Sequence, residues 1–308
     1  MGITKLSSSL FIVFTLFCTL SKSAQTPLHS LMVEADERYY RLFTPSKYNP
    51  QTSYPLVLNF HGTNSDPYNQ EVLTRFEKLG QQKQFIVVSP LALFTRNDRE
   101  PITWNVDYEP GPDDVIFISH LIKHLNRTFN IDGNKIYATG FSGGARMSSR
   151  LACAIPHKIA AIAPVAGLRF PDLCKPNHGV PIISFHGEKD TINHYKLQHD
   201  SPVYWNMGID EALGKWVKNN QCTETNIQKY SDTIVEQRYS GCDDGADILF
   251  YKSSIAGHTW PGSSQADKFL EYGLGTTEKQ LDATNLIWDF FKKHHKTSLP
   301  RTLKHTSL

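Results

Sequence analysis

One serine in the sequence stands in surroundings that could make it a nucleophile. Ser142 is the centre of Gly140-Phe141-Ser142-Gly143-Gly144, between a short apolar run at 136–138 and a segment of small residues with helical character. A G-x-S-x-G pentapeptide between a strand and a helix predicts a tight turn that lifts the serine hydroxyl above the sheet. Strand and helix pass close together at such a turn, so the flanking positions must be glycine or similarly small. The chemistry would be attack on a carbonyl carbon, and the Gly143 N–H could stabilise the resulting oxyanion.

A serine hydroxyl needs a base to remove its proton, and the base needs an acid to orient it. After an elbow of this type the order along the chain is Ser, then Asp or Glu, then His, each in a loop that follows a strand. Asp190 follows the apolar run 181–185, and His258 lies in a glycine-flanked loop after the run 247–251. The sequence therefore predicts Ser142, Asp190 and His258 as nucleophile, acid and base.

Other residues could fill the same roles, because the chain has 13 histidines. His186 is an alternative base, although it precedes the acid and is expected to pack near a strand end. His194 and His199 lie in a polar stretch and are expected at the surface. Glu188 and Asp200 are the alternative acids.

A second oxyanion donor is expected in the loop after residues 56–60 (LVLNF), which read as a buried strand. The sequence His61-Gly62-Thr63 makes a tight turn there, and the Thr63 N–H is the predicted donor. Trp104, Trp260 and His61 are predicted to contact the substrate because they lie close to these residues in sequence. The alternative for a tryptophan is ordinary packing in the core, and for His61-Gly62 an ordinary strand-to-loop turn.

The elements that must position these residues alternate between apolar runs and helical patterns. Strands are expected at 38–43, 56–60, 85–88, 136–138, 159–166, 181–185 and 247–251. Helices are expected at 69–82, from Asp113-Asp114 onwards, at 211–219, and in a final segment with a capping box at Thr277-x-x-Gln280. This alternation predicts an α/β fold with a mostly parallel sheet and helices on both faces.

Length and composition narrow the protein class. The chain has 308 residues, 40% hydrophobic and 20% charged, which suits one large globular domain. The net charge of +2 argues against a nucleic-acid partner. Residues 1–23 have a positive start and an apolar run too short to span a membrane, so a signal peptide and secretion, extracellular or periplasmic, are expected. Residues 24–308 are then one catalytic domain, with a basic, frayed tail from about 296.

The cysteines outside the signal segment support an exported protein. Four remain after Cys18 is set aside, namely Cys153, Cys174, Cys222 and Cys242. An even number suggests two disulfides, with three possible pairings. No C-x-x-C or H-E-x-x-H motif occurs, so neither a metal nor another cofactor is expected. Asn126-Arg127-Thr128 is a glycosylation sequon.

Together these segments resemble the secreted esterases of the polyhydroxybutyrate depolymerase and feruloyl esterase family. The matching stretches are LVLNFHG (56–62), Trp104, DDV (113–115), IYATGFSGG (136–144), IAAIAPVAG (159–167), FHGEKD (185–190), GHTWPG (257–262) and DATNLIWDFF (282–291). The resemblance implies the α/β-hydrolase fold and a triad of Ser142, Asp190 and His258. It also implies the disulfides Cys153–Cys174 and Cys222–Cys242.

Two departures from the family matter for the substrate. Many members carry Asn or Gln after the nucleophile, whereas Gly143 follows Ser142 here, which predicts a wider or looser pocket. The extra surface-binding domain of depolymerases that attack solid polyester is not visible. The sequence thus predicts a serine esterase acting on feruloyl or acetyl esters of polysaccharide, or on short hydroxyalkanoate oligomers. A non-catalytic carbohydrate or polymer binder and a serine peptidase are the alternatives.

Overall fold

The computed structural model describes residues 28–95, 101–107, 109–174 and 178–296. The expected signal peptide and most of the basic tail lie outside these residues. The described chain contains one ten-stranded sheet with the order β1-β2-β4-β3-β5-β6-β7-β10-β9-β8. Its strands are β1 His29–Val33, β2 Asp36–Phe43, β3 Tyr54–Phe60, β4 Ile86–Pro90, β5 Ile131–Phe141, β6 Ala161–Val165, β7 Ile182–Gly187, β8 Glu224–Lys229, β9 Ile234–Ser240 and β10 Ile248–Ser253.

The six central strands of the sheet, from β4 to β10 in spatial order, run parallel. Most of their residues are buried, as expected for strands covered by helices on both faces. An antiparallel hairpin closes each edge, β1-β2 on one side and β9-β8 on the other. Because the central strands are parallel, the loops after β3, β5, β7 and β10 all emerge at the same edge of the sheet.

Seven helices were assigned among the described residues, and they cover the two faces of the sheet. They are α1 Pro67–Thr74, α2 Phe76–Lys83, α3 Asp114–Thr128, α4 Gly143–Ala154, α5 Ile209–Asn219, α6 Ala266–Glu271 and α7 Ala283–Phe291. One apolar cluster joins the sheet to α3, α4 and α5. A second cluster joins the opposite face to α2, α6 and α7. The expected α/β architecture, mostly parallel with helices on both faces, is confirmed.

Two helix predictions were wrong in detail. The single helix expected at 69–82 is broken at Arg75, whose φ of 57° ends α1 and begins α2. The capping box expected at Thr277 does not cap the final helix. Asp282 does so instead, since its side chain accepts a hydrogen bond from the Asn285 N–H.

Both disulfides have the pairing that the family resemblance implied. Cys153–Cys174 ties the end of α4 to the loop after β6, and Cys222–Cys242 joins the segment after α5 to the end of β9. Cys18 lies outside the described residues. In the part of the chain that the structure describes, no helix is long and apolar enough to cross a membrane.

Candidate active site

Ser142 lies at the turn between β5 and α4, with φ 54° and ψ −114°. This backbone conformation is strained for a residue with a side chain. Two neighbours hold it in place, because the Ser142 N–H donates to the Val165 carbonyl at 3.0 Å and its carbonyl accepts from the Arg146 N–H at 3.2 Å. The flanking glycines are required sterically, since a Cβ on Gly144 would lie 2.2 Å from the Phe60 carbonyl oxygen. The serine side chain is partly exposed, as a nucleophile requires.

The turn after β3 lies directly beside the elbow. A Cβ on Gly62 would be 3.5 Å from the Ser142 Cβ. The segment around Trp104 fixes this turn, because the Trp104 indole N–H donates to the His61 carbonyl at 2.8 Å and the Asn64 N–H donates to the Ile102 carbonyl at 2.9 Å. The Thr63 backbone is therefore held rigidly close to the nucleophile.

Two threonine hydroxyls fill the space next to Gly143. The Oγ1 atoms of Thr63 and Thr103 are 2.8 Å apart and hydrogen-bonded. A Cβ on Gly143 would lie 2.6 Å from Thr63 Oγ1, 3.0 Å from the Thr63 backbone nitrogen and 3.1 Å from Thr103 Oγ1. The missing side chain thus leaves no empty space beside the nucleophile, contrary to the wider pocket expected from the sequence. The same contacts place the Gly143 and Thr63 amides side by side, which suits a pair of oxyanion donors.

The structure brings Asp190 and His258 together although 68 positions separate them. His258 Nδ1–H donates to Asp190 Oδ2 at 2.8 Å, and both side chains are buried. The Ile192 and Asn193 N–H groups donate to Asp190 Oδ1 at 2.9 and 2.8 Å. Burial alone would raise the pKa of Asp190, but His258 and the hydrogen bonds to the carboxylate bring this pKa below its ordinary value. Asp190 is therefore ionised and able to orient the imidazole.

Close backbone packing between the two loops produces this pairing. A Cβ on Gly187 would lie 2.0 Å from the Ala256 carbonyl oxygen, and the Lys189 N–H donates to that oxygen at 3.0 Å. His258 is held from the other side, since its N–H donates to the Leu274 carbonyl at 2.7 Å. Its ring lies 4.8 Å from the ring of Phe141, the residue before Ser142. The base is thus next to the elbow.

His186 occupies a second position on Asp190. Its Nε2 lies 2.8 Å from the Asn193 carbonyl oxygen and 3.3 Å from Asp190 Oδ2. Both neighbours are acceptors, so Nε2 carries the proton, and Nδ1 has no hydrogen-bond partner. Burial lowers the pKa of His186, which keeps the ring neutral. His186 is therefore not a free base, but it contacts Asp190, the carboxylate to which His258 is hydrogen-bonded.

One cavity of about 550 Å³ contains both Ser142 and His258 on its wall. The remainder of the wall combines apolar and aromatic side chains with neutral polar ones and Lys268, and the described lining residues include no Asp or Glu. These lining residues are Gly62, Thr63, Asn64, Ser65, Asn69, Gln70, Val72, Leu73, Phe141, Ile192, Tyr204, Gln265, Lys268, Phe269, Tyr272 and Leu274. Such a cavity suits an uncharged, apolar or aromatic group attached to the reacting carbonyl.

Three residues predicted to contact substrate lie behind the cavity wall instead. Trp260 is buried against Phe76, and its indole N–H donates to Thr284 Oγ1 at 3.1 Å. Trp104 is buried beneath the His61 turn. The buried His61 ring donates from Nδ1 to the Gly62 carbonyl and accepts the Ala92 N–H at Nε2. Burial lowers the pKa of His61 to about 4, so the ring is a neutral structural element.

Several residues around the site were missed because no local pattern marks them. Thr103, Asn193, Tyr204 and the α6 residue Phe269 come from distant loops or from a six-residue helix with no strong periodicity. The sequence indicates His186 only as an alternative base. The FHGEKD segment that contains both His186 and Asp190 was the signal that could have linked the two residues.

In the described parts of the chain, no three or more His, Cys, Asp or Glu side chains are grouped so that they could hold a metal ion. The arrangement offers a strained serine, a histidine held by an ionised aspartate, and two adjacent amides. These are the parts of a nucleophilic acyl-transfer site.

Comparison with curated proteins finds relatives with esterase names. The chain is 31% identical over 241 residues to the bifunctional acetylxylan esterase/xylanase XynS20E of Neocallimastix patriciarum, covering 76% of this chain and 33% of that protein. It is 28% identical over 231 residues to feruloyl esterase B of Piromyces equi, covering 70% and 41%. Feruloyl esterase D of Neurospora crassa is 26% identical over 235 residues, covering 71% and 73%. The chain thus spans only about a third to two fifths of the first two relatives.

Solved structures support the fold assignment. An acetyl xylan esterase from Aspergillus awamori aligns with a TM-score of 0.57 and 15% identity, covering 80% of this chain and 98% of that one. At this identity the likeness shows the fold alone. No family model matches the sequence. The chain thus has the α/β-hydrolase fold, and by sequence it is homologous to proteins named feruloyl esterase and acetylxylan esterase.

Proposed function

We propose that the chain is a secreted serine carboxylic-ester hydrolase that works through an acyl-enzyme. The observation that carries the proposal is the buried His258–Asp190 hydrogen bond at the cavity that Ser142 lines. Ser142 attacks the ester carbonyl, and His258 takes its proton and later delivers one to the leaving alcohol. Asp190 orients His258, while the Gly143 and Thr63 amides stabilise the oxyanion.

The preferred substrates are feruloyl or acetyl esters of polysaccharide, with short hydroxyalkanoate oligomers as a further possibility within the same chemistry. The names of the relatives support the first two ester types. The aromatic side chains of Phe141, Phe269 and Tyr272 on the cavity wall favour an aryl acyl group over acetyl. The disulfides and the apolar segment in residues 1–23 support secretion.

The direct test is turnover of p-nitrophenyl acetate and methyl ferulate by the wild type and by Ser142→Ala. Loss of a nucleophile costs on the order of 10⁶ in kcat, so the variant should be inactive. Ser53→Ala, at an exposed serine just before β3 and at the opposite edge of the sheet from the elbow, is the matched control and should keep full activity. Residual activity of Ser142→Ala near the wild-type value would refute the assignment.

Labelling with a fluorophosphonate probe separates an esterase from a non-catalytic binder on the same fold. The wild type should be labelled at Ser142, whereas Ser142→Ala should not. A wild-type protein that neither reacts with the probe nor hydrolyses any ester would contradict the proposal.

A further inference from the structure

The amino ends of the central strands, opposite the active site, surround a second cavity. It has a volume of about 560 Å³ and contains Asn134 of β5, the residues before β6 and β7, and the chain after α7. In β5, Asn134 and Phe141 are seven positions apart, so about 23 Å of strand lies between this cavity and the elbow. A ligand in this cavity would therefore not touch Ser142 or His258.

The side chains around this cavity are mostly basic, and we call it the basic basin. They come from three segments of the chain, namely the residues after α4, the loop before β7, and the segment after α7. The basic side chains are His157, His178, Lys293, His294, His295 and Lys296, and Asp244 is the single acid of the described lining. The carboxylate of Asp244 is 4.0 Å from His178 Nδ1, so one acid faces two lysines and four histidines.

Each positive charge in the basic basin makes protonation of its neighbours less favourable. Burial lowers the pKa of His157, and the charges of Lys158, Lys296 and His178 lower it further. Burial also lowers the pKa of Lys296, an effect that the charge of Asp244 opposes. An anion in the basin would relieve this repulsion. By contrast, His294 packs on Phe290 and has a pKa lowered to about 4, first by burial and then by Lys293, so it stays neutral.

A metal ion does not explain the cluster. Although several histidines meet there, none of the described His, Cys, Asp and Glu side chains form a group of three suited to metal binding. The two lysines are also poor neighbours for a cation. The chemistry of the basin is therefore that of an anion site.

We propose that the basic basin binds carboxylate groups of an acidic polysaccharide. Its lysines and histidines come from three segments of the chain, which suits the repeated charges of a polymer. The choice of a polysaccharide rests on the proposed esterase function, whereas the anion chemistry does not. A polymer held at the basin would raise the local concentration of its esters at the opposite edge of the sheet.

The test is binding of polygalacturonate to the full chain, measured by affinity electrophoresis and calorimetry at low and high salt and at pH 5.5 and 7.5. Lys293→Gln/Lys296→Gln should weaken binding at low salt by at least about fivefold, because two cations are lost. Lys215→Gln/Lys229→Gln removes the same charge from exposed lysines of α5 and β8, and should change binding less than twofold, a change of about 0.4 kcal/mol.

The histidines of the basic basin allow a second test, the pH dependence of polygalacturonate binding. Binding should tighten from pH 7.5 to 5.5, because imidazoles gain charge over this range. His157→Gln/His178→Gln should flatten this dependence. Five other charged or titratable groups near His157 and His178 also affect this pH dependence, and all five remain in this variant. They are Asp244, Lys158, Lys293, His295 and Lys296.

The proposal would be overturned by absence of polygalacturonate binding, by equal losses in the basin and control variants, or by a loss confined to Arg301→Gln/Lys304→Gln in the tail. Displacement of the polymer by low millimolar inorganic phosphate would also overturn it, because it would indicate a small-anion site. The kcat/KM for methyl ferulate should be unchanged in the basin variant. If no ester is hydrolysed at all, the proposed function fails while the binding result still stands.

Discussion

Substitution of Gly143 by alanine tests the oxyanion arrangement with a single methyl group. Gly143 does not have a positive φ, so alanine strains no backbone angle there. The new Cβ would lie 2.6 Å from Thr63 Oγ1 and 3.0 Å from the Thr63 nitrogen. Ordinary contact begins near 3.4 Å, so the hydroxyl must retreat by about 0.8 Å and the amide by about 0.4 Å.

The hydroxyl cannot move alone, because it is hydrogen-bonded to Thr103 at 2.8 Å. The shift must therefore break that hydrogen bond or carry the Thr63 turn, and its amide, away from the oxyanion. Loss of one oxyanion donor costs about 10²–10³ in kcat, or roughly 3–4 kcal/mol. We expect Gly143→Ala to lower kcat about 100-fold with a much smaller change in KM, because the amide contacts the oxyanion mainly in the transition state.

The assay is steady-state hydrolysis of p-nitrophenyl acetate and methyl ferulate. Gly143→Ala/Thr63→Ala removes the closest contact and should recover part of the loss, because the contacts at 3.0 Å to the Thr63 nitrogen and 3.1 Å to Thr103 Oγ1 remain. Gly214→Ala is the matched control, since a Cβ at this helical glycine meets nothing within 4 Å. A Gly143→Ala protein that keeps kcat within about threefold of the wild type would refute the reasoning.

Three further predictions concern His186, Trp260 and Glu71. His186→Phe removes the Nε2–H group, which donates to the Asn193 carbonyl and lies 3.3 Å from Asp190 Oδ2. The Asp190 carboxylate then becomes a stronger acceptor and stabilises protonated His258. The acidic limb of the kcat/KM profile should therefore move to higher pH. Trp260→Phe should lower the free energy of unfolding by about 1–3 kcal/mol, measured by urea titration, with kcat unchanged. Burial, together with Glu77, raises the pKa of Glu71 to about 8. The unfolded chain therefore releases this proton at lower pH, and the gain in Tm from Glu71→Gln should grow from pH 5 to pH 8 and then level off.

Each of these predictions has its own control. His186→Gln keeps an N–H close to the position of Nε2 and should restore the wild-type pH profile; a profile unchanged in His186→Phe would show a purely structural role. A large fall in kcat in Trp260→Phe would indicate that Trp260 contacts the substrate. A pH-independent effect of Glu71→Gln would mean that Glu71 titrates normally in the folded protein.

The sequence predicted the central part of the fold well because buried parallel strands leave a strong pattern. Runs such as LVLNF and PIISF are apolar on both faces, and each was found as a strand. The edge strand β8, ETNIQK, is exposed along its whole length, so its composition carries no strand signal. Arg75 breaks the predicted helix because its backbone is left-handed, a conformation that an arginine in the sequence does not predict.

The candidate site shows the same division between local and distant information. The elbow and the order Ser142, Asp190, His258 follow from motifs next to strand ends, and those strand ends meet at one edge of the sheet. The two tryptophans were misplaced because proximity in sequence does not say on which side of the backbone a ring lies. The Thr63–Thr103 contact joins residues 40 positions apart, so no local pattern could reveal it.

All five tryptophans of the chain are at least nine-tenths buried. Four of them donate their indole N–H to a fixed partner: Trp104 to the His61 carbonyl, Trp205 to the His194 carbonyl, Trp216 to the Arg169 carbonyl and Trp260 to Thr284. Their intrinsic fluorescence should therefore emit at short wavelength in the native protein and shift to the red on unfolding. Trp104, beneath the turn that carries Thr63, provides a built-in optical probe of ligand binding next to the nucleophile.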